Sequence, residues 1–171
     1  MKRSLRLLGV FSLVIGMIGA TGGMAAAGAE QERPFRFSQQ SEFYVIGECE
    51  SGAPLQEISG TGHATHLGRM TVFGHACADA ETGNVTWTAA NGDEIRIVFA
   101  TVLLGPPGPD GSAPVTTHAL AVTGTGRFAD VEFGEGSPTG TIWFDDMSGL
   151  SGHIETELIS TITYDASDRR N

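Results

Sequence analysis

Val122-Thr123-Gly124-Thr125-Gly126-Arg127-Phe128-Ala129-Asp130 reads as a glycine-hinged turn feeding a strand, and that strand runs out into a second glycine group, Gly134-Glu135-Gly136. Glycine supplies backbone conformations that residues with a Cβ avoid, so such a stretch marks a sharp and fixed change of chain direction. Turn-forming groups recur at short intervals on either side of it: Gly60 and Gly62, Gly68, Gly83-Asn84, Asn91-Gly92-Asp93, Gly105 to Gly111, Ser137-Pro138 and Ser148-Gly149. The segments between them alternate with period two, and no convincing helical period follows residue 29. From His153 to Tyr164 the even positions carry Ile154, Thr156, Leu158, Ser160, Ile162 and Tyr164, while the odd ones begin with Glu155 and Glu157. That is one apolar face and one polar face of a strand. Ile95, Ile97, Phe99, Thr101 and Leu103 likewise share a face opposite Glu94, Arg96 and Val98. Asn91-Gly92 predicts a hairpin with a two-residue type I′ turn. The expected fold is all-β, a single antiparallel barrel of about eight strands, although a two-sheet sandwich uses the same local pattern.

The Gly124 to Phe128 turn resembles the Gly-Gly-Thr-Gly-x-Phe segment of plant dirigent proteins, and more broadly the calycin-like barrel shared by dirigents and allene oxide cyclases. Two further segments extend the resemblance, Gly60-Thr61-Gly62-His63-Ala64-Thr65-His66-Leu67-Gly68-Arg69-Met70-Thr71 and Thr86-Trp87-Thr88-Ala89-Ala90-Asn91-Gly92-Asp93-Glu94. In that order they look like the bacterial secreted branch of this superfamily, over Tyr44 to Tyr164. The resemblance implies an antiparallel barrel whose interior holds a hydrophobic intermediate and steers its closure. The acid, arginine and water-holding residues of those relatives have no matched positions here, so the turn transfers and the catalytic set does not.

The N-terminus carries Lys2, Arg3 and Arg6, an apolar run from Leu7 to Ile18, and small residues through Ala27-Gly28-Ala29. This is the three-part layout of a secretory signal peptide over 1–29, and its apolar core is shorter than the ~20 residues of a membrane span. The expected organisation is therefore a signal peptide (1–29), a lead-in (30–42), a barrel domain (43–165) and a polar tail (166–171). The expected location is secreted or periplasmic, with no stable membrane insertion after cleavage. Removing 1–29 takes away three of the ten basic residues and none of the twenty acidic ones, so the net charge goes from -10 to -13. So acidic a surface repels phosphate backbones and anionic lipid, and nucleic acid is excluded as an expected partner.

Cys49 and Cys77 are the two cysteines. Export into an oxidising compartment favours a disulfide between them, whose loop closure is worth about 3 to 4 kcal/mol; two buried free thiols are the alternative. Both lie in strand-like segments with one strand between, so bridging requires the first and third strands to approach.

Candidate chemistry is sparse. His63 and His66 are three apart and point to opposite faces of a regular strand, whereas His75 and His118 can meet across strands; without a CxxC, HExxH or His-x-His spacing, no metal is expected. No serine sits in Gly-x-Ser-x-Gly, and Asp145-Asp146 face opposite ways in a strand. Thr65-x-x-Gly68-Arg69 echoes Thr123-x-x-Gly126-Arg127, either as a half-barrel duplication or as two turns meeting one geometric need. The two arginines are expected to pair with local carboxylates such as Asp130 or Glu132. Tyr44, Phe73, Trp87, Phe99 and Trp143 are the candidate lumen residues, either packing as core or lining an apolar pocket. The sequence thus points to a secreted barrel that binds a small apolar molecule or serves an extracytoplasmic structural role, without cofactor, leaning away from catalysis and leaving homo-oligomer formation open. The competing class is an enzyme steering the cyclisation or isomerisation of a hydrophobic intermediate.

Overall fold

The computed structural model describes residues 32–78, 82–146 and 148–164. The expected signal peptide and the 166–171 tail lie outside these residues. Among the described residues, the strands in chain order are β1 Arg33–Glu48, β2 Pro54–Ala64, β3 Gly68–Cys77, β4 Thr82–Ala89, β5 Glu94–Leu103, β6 Ser112–Gly124, β7 Glu132–Phe133, β8 Thr139–Phe144 and β9 Gly152–Thr163, with a 3-10 turn at Gly126–Phe128. The order β1-β2-β3-β4-β5-β6-β8-β9 closes on itself through an antiparallel β1 to β9 pairing. This is a closed eight-stranded antiparallel barrel, to which β7 adds two residues along β9.

The barrel starts at Arg33 rather than at Phe43, because the alternation that builds β1 begins in the stretch expected to be a lead-in. Phe35, Phe37, Ser41 and Phe43 are buried while Arg36, Ser38, Gln40 and Glu42 are exposed. The same period sends Met70 and Val72 of β3, Val85, Trp87 and Ala89 of β4, and Ile95 and Ile97 of β5 into the core. In β9 the even positions face inward as expected, with Thr156, Leu158 and Ile162 buried.

Because neighbouring strands run in opposite directions, one end of the barrel gathers the β2–β3 and β4–β5 turns, the 3-10 turn and Tyr164. That end is plugged. Phe35, Phe128, Ile95 and Ile162 are fully buried there, and the Phe128 ring lies 5.0 Å from that of Tyr164. The Val122 to Asp130 stretch does this work, but as the end of β6 followed by a 3-10 turn and only later by the two residues of β7, not as a turn feeding a full strand. Gly126 has φ +58, and a Cβ at Gly124 would overlap the Phe128 carbonyl oxygen. Arg127 Nη2 donates to the His66 carbonyl at 2.6 Å. Its Nε stands 3.3 Å from Asp93 Oδ2, within ion-pair reach but outside hydrogen-bond geometry. Arg127 therefore ties three turns together through Asp93 rather than through Asp130 or Glu132, while Arg69 is exposed.

Two further features differ from expectation. The β4–β5 turn closes between Ala89 and Asp93, leaving Ala90-Asn91-Gly92 as a three-residue loop with Gly92 at φ +87. A residue in the left-handed region at the end of such a loop is a usual alternative to the two-residue turn. In addition, β8 is short and pairs with β6 only over Ser112 to Thr116. Beyond Thr116 the wall is completed by residues 130–138, where Thr117 N donates to the Pro138 carbonyl at 2.9 Å and Gly134 N to the Thr161 carbonyl at 2.9 Å.

Candidate functional site

At the opposite end the barrel is hollow. A cavity of about 300 Å³ occupies this half of the lumen and reaches the rim formed by the loops after β1, β3, β5 and β8. Its floor is aromatic, with Phe37 stacked on Trp87 at 4.4 Å and Phe133 edge-on to Trp87 at 6.0 Å. Phe99, Ile142, Phe144, Ile154 and Leu158 form apolar wall. Small residues keep the space open: Ala76, Gly83, Ala119 and Gly136 all line it. A Cβ on Gly83 would lie 2.7 Å from Phe99 Cζ, so even one methyl there would press on the wall.

The polar lining is neutral. Gln39, Gln56, Thr82, Thr101, Thr117 and Thr156 reach the cavity, and among the described lining residues none is ionisable, Cys77 being held in its disulfide. Gln39 and Thr156 are cross-strand partners between β1 and β9. Thr101 and Thr117, partners between β5 and β6, share a hydrogen bond at 3.3 Å. Trp87 Nε1, Gln39 Oε1 and Ser41 Oγ are buried without a hydrogen-bond partner; each such orphan costs about 1 to 3 kcal/mol.

Three devices shape the rim. The Cys49–Cys77 disulfide forms, with 6.1 Å between Cα atoms, and links the chain just past β1 to the end of β3 over the start of β2. Gln56 Nε2 donates to the carbonyls of Gly149 and Leu150, each at 3.3 Å, and tethers the loop after β8. Asp146 in that loop accepts from the Ser148 amide and hydroxyl, and Asp110 in the loop before β6 accepts from Ser112 N at 3.1 Å and Ser112 Oγ at 2.7 Å. Hydrogen bonds from the serine side chains, then from their amides, favour the ionised carboxylates and hold both aspartates below the usual range.

Of the five expected lumen aromatics, Trp87 and Phe99 line the cavity and the other three face outward. Tyr44 follows the inward Phe43, is 43% exposed, and donates from its hydroxyl to Glu57 at 2.5 Å. That bond to a carboxylate, with slight burial and the negative charges of Glu57 and Glu42, raises the Tyr44 pKa. Phe73 lies between the inward Val72 and Gly74 and is 49% exposed, edge-on to His75. Trp143 sits between the inward Ile142 and Phe144 and stacks on His153 at 4.7 Å. In each case the neighbour one residue away takes the inward position, as strand parity requires. The sequence reading missed Phe43, Ile142 and Phe144 on the wall, and Gln39 and Thr156 as polar groups. The Phe35-x-Phe37 spacing was the signal that could have set the phase of β1.

Ser137 Oγ and His118 Nδ1 lie 2.8 Å apart on the outer side of the 130–138 segment. Among the described residues no carboxylate is hydrogen-bonded to that imidazole, so the pair fastens the segment to β6 without forming a triad. Among the described residues there is also no group of three or more His, Cys, Asp or Glu side chains placed to hold a metal, and no helix long and apolar enough to cross a membrane. No protein-family model matches the chain, and no curated protein matches it.

Proposed function

We propose that this barrel binds a small, mainly apolar molecule in its lumen and does so outside the cytoplasm. The observation that carries the reading is the cavity of about 300 Å³ at the rim end, walled by aromatic and aliphatic side chains with a few neutral polar groups. Ligand sites have this composition, and the volume sits at the small end of their range. The Cys49–Cys77 disulfide supports an oxidising compartment, as does the leader-like layout of residues 1–29. Kinship with the bacterial secreted branch of the allene oxide cyclase and dirigent barrels is part of the proposal, supported by the closed eight-stranded barrel. Within that kinship, the uncharged lining favours holding a ligand over acid–base chemistry on it, because a general acid or base must be titratable and within reach of the reacting atom. Native mass spectrometry of protein taken from the extracytoplasmic fraction of its own host tests the reading. A stoichiometric apolar adduct released on denaturation is expected. Empty protein that also fails to take up any added apolar compound would overturn it and leave a structural role.

A further inference from the structure

We infer that the ligand is electrically neutral and carries a hydroxyl or carbonyl oxygen, so that the lumen selects neutral oxygenated hydrocarbons against carboxylic acids of the same carbon frame. The inference rests on the binding proposed above. Around the cavity only amides and hydroxyls interrupt the apolar wall, and no described lining residue offers a cation. A carboxylate drawn into such a site leaves water without gaining a counter-charge, which costs far more than burying a hydroxyl that finds a partner. The acidic chain, of net charge -10, repels an approaching anion as well.

The polar groups of the lining keep hydrogen-bonding capacity free to meet an oxygen. Gln39 and Thr156 stand side by side across β1 and β9, two positions beyond the Phe37 and Trp87 floor. Gln39 Oε1 is buried without a donor and Trp87 Nε1 without an acceptor, so a ligand hydroxyl, which both donates and accepts, would supply what this lining lacks. Thr101 and Thr117 spend one hydroxyl proton on each other at 3.3 Å, which leaves the second for a ligand acceptor. A wholly apolar guest would strand these groups, and burying an unmatched polar group is what makes such a site discriminate.

Four probes of one carbon frame separate the possibilities: naphthalene, 2-naphthol, methyl 2-naphthoate and 2-naphthoate, titrated calorimetrically into the oxidised protein at pH 7. 2-Naphthol is expected to bind about tenfold more tightly than naphthalene, the value of one well-made hydrogen bond. Methyl 2-naphthoate should bind while 2-naphthoate is weaker by at least about tenfold. The double variant Gln39→Leu, Thr156→Val should lose the 2-naphthol preference, its folding being checked independently by far-ultraviolet circular dichroism and urea unfolding. If 2-naphthoate binds as well as its ester, or 2-naphthol no better than naphthalene, the inference fails while the apolar-binding reading stands. If none of the four binds and the host-derived protein is also empty, the apolar-binding reading itself fails.

Discussion

Replacing Phe128 by alanine tests the link between the glycine-hinged turn and the plugged end of the barrel. The Phe128 side chain is fully buried, its ring 5.0 Å from Tyr164 and 4.8 Å from the Arg127 guanidinium. Returning that ring's surface to the unfolded reference removes about 2 to 3 kcal/mol of burial free energy at roughly 25 cal/mol per Å². The turn cannot collapse into the void, because Gly124 already abuts the Phe128 carbonyl and Arg127 is bonded to His66. The cavity left behind therefore adds to the transfer loss, for a total of about 4 kcal/mol. With a urea dependence of about 2 kcal/mol per molar, the unfolding midpoint should fall by about 2 M at unchanged slope. Phe73→Ala removes the same ring from the outer face, where the residue is 49% exposed, and should cost less than about 1 kcal/mol. Equilibrium urea unfolding followed by far-ultraviolet circular dichroism measures both variants. Equal midpoint shifts would refute the inside–outside register from which the lumen is drawn.

Three other perturbations follow from the rim. Reducing Cys49–Cys77, which closes a 28-residue separation, should lower stability by about 3.6 kcal/mol in the chain-entropy model and the thermal midpoint by roughly 10 to 15 °C, and a calorimetric shift of under about 3 °C would contradict it. Asp110 and Asp146 have folded pKa values below their unfolded ones, so their contribution is complete above the unfolded value near about 4 and is lost as pH falls through the lower folded values. Protection against hydrogen exchange in the loops before β6 and after β8, expressed relative to the intrinsic rate at each pH, should therefore fall below about pH 4 and be flat from about pH 5 to 7; Asp146→Asn should remove the acid step in the latter loop. Thr101→Trp places an indole in the cavity from a lining position. It should abolish naphthalene binding by calorimetry at a stability cost of about 1 to 3 kcal/mol, and undiminished binding would locate the guest elsewhere.

The strands that declared themselves in the sequence are those with one apolar and one charged face. In β9, Glu155 and Glu157 alternate with Thr156 and Leu158, and the phase cannot be mistaken; in β5, Ile95, Ile97 and Phe99 do the same against Glu94 and Arg96. In β1 the run Phe43-Tyr44-Val45-Ile46 is apolar on both faces, so hydropathy alone gives no phase and a choice by size picks Tyr44. Only Phe35 and Phe37, further back, fix it. In β8 a similar run, Ile142-Trp143-Phe144, hides which aromatic is inside. The bulge at Leu120, where Val98 pairs with Ala121 but Phe99 with Ala119, reverses parity in β6 without any glycine or proline to announce it. The length of β8 and the 3-10 turn after Gly124 depend on which groups are already paired in the sheet, and that is a property of the closed barrel rather than of any local stretch.

The hollow half is written in the sizes of inward residues. Near the plug the inward positions hold Phe35, Phe37, Trp87, Ile95 and Phe128, with Tyr164 behind them, enough volume to fill an eight-stranded barrel of this width. Towards the rim the inward positions of β3 to β6 turn to Ala76, Gly83, Thr101, Thr117 and Ala119. A barrel whose interior served only as core would have little reason to place small side chains at inward positions of β3, β4, β5 and β6 in this half, because filling them with leucine or phenylalanine would add stability. The small residues line the same cavity as the neutral polar pairs, under the rim that the disulfide and the Gln56 tether brace. Rigid packing at one end and reserved space at the other are what the proposed binding requires, a space already formed before any ligand arrives.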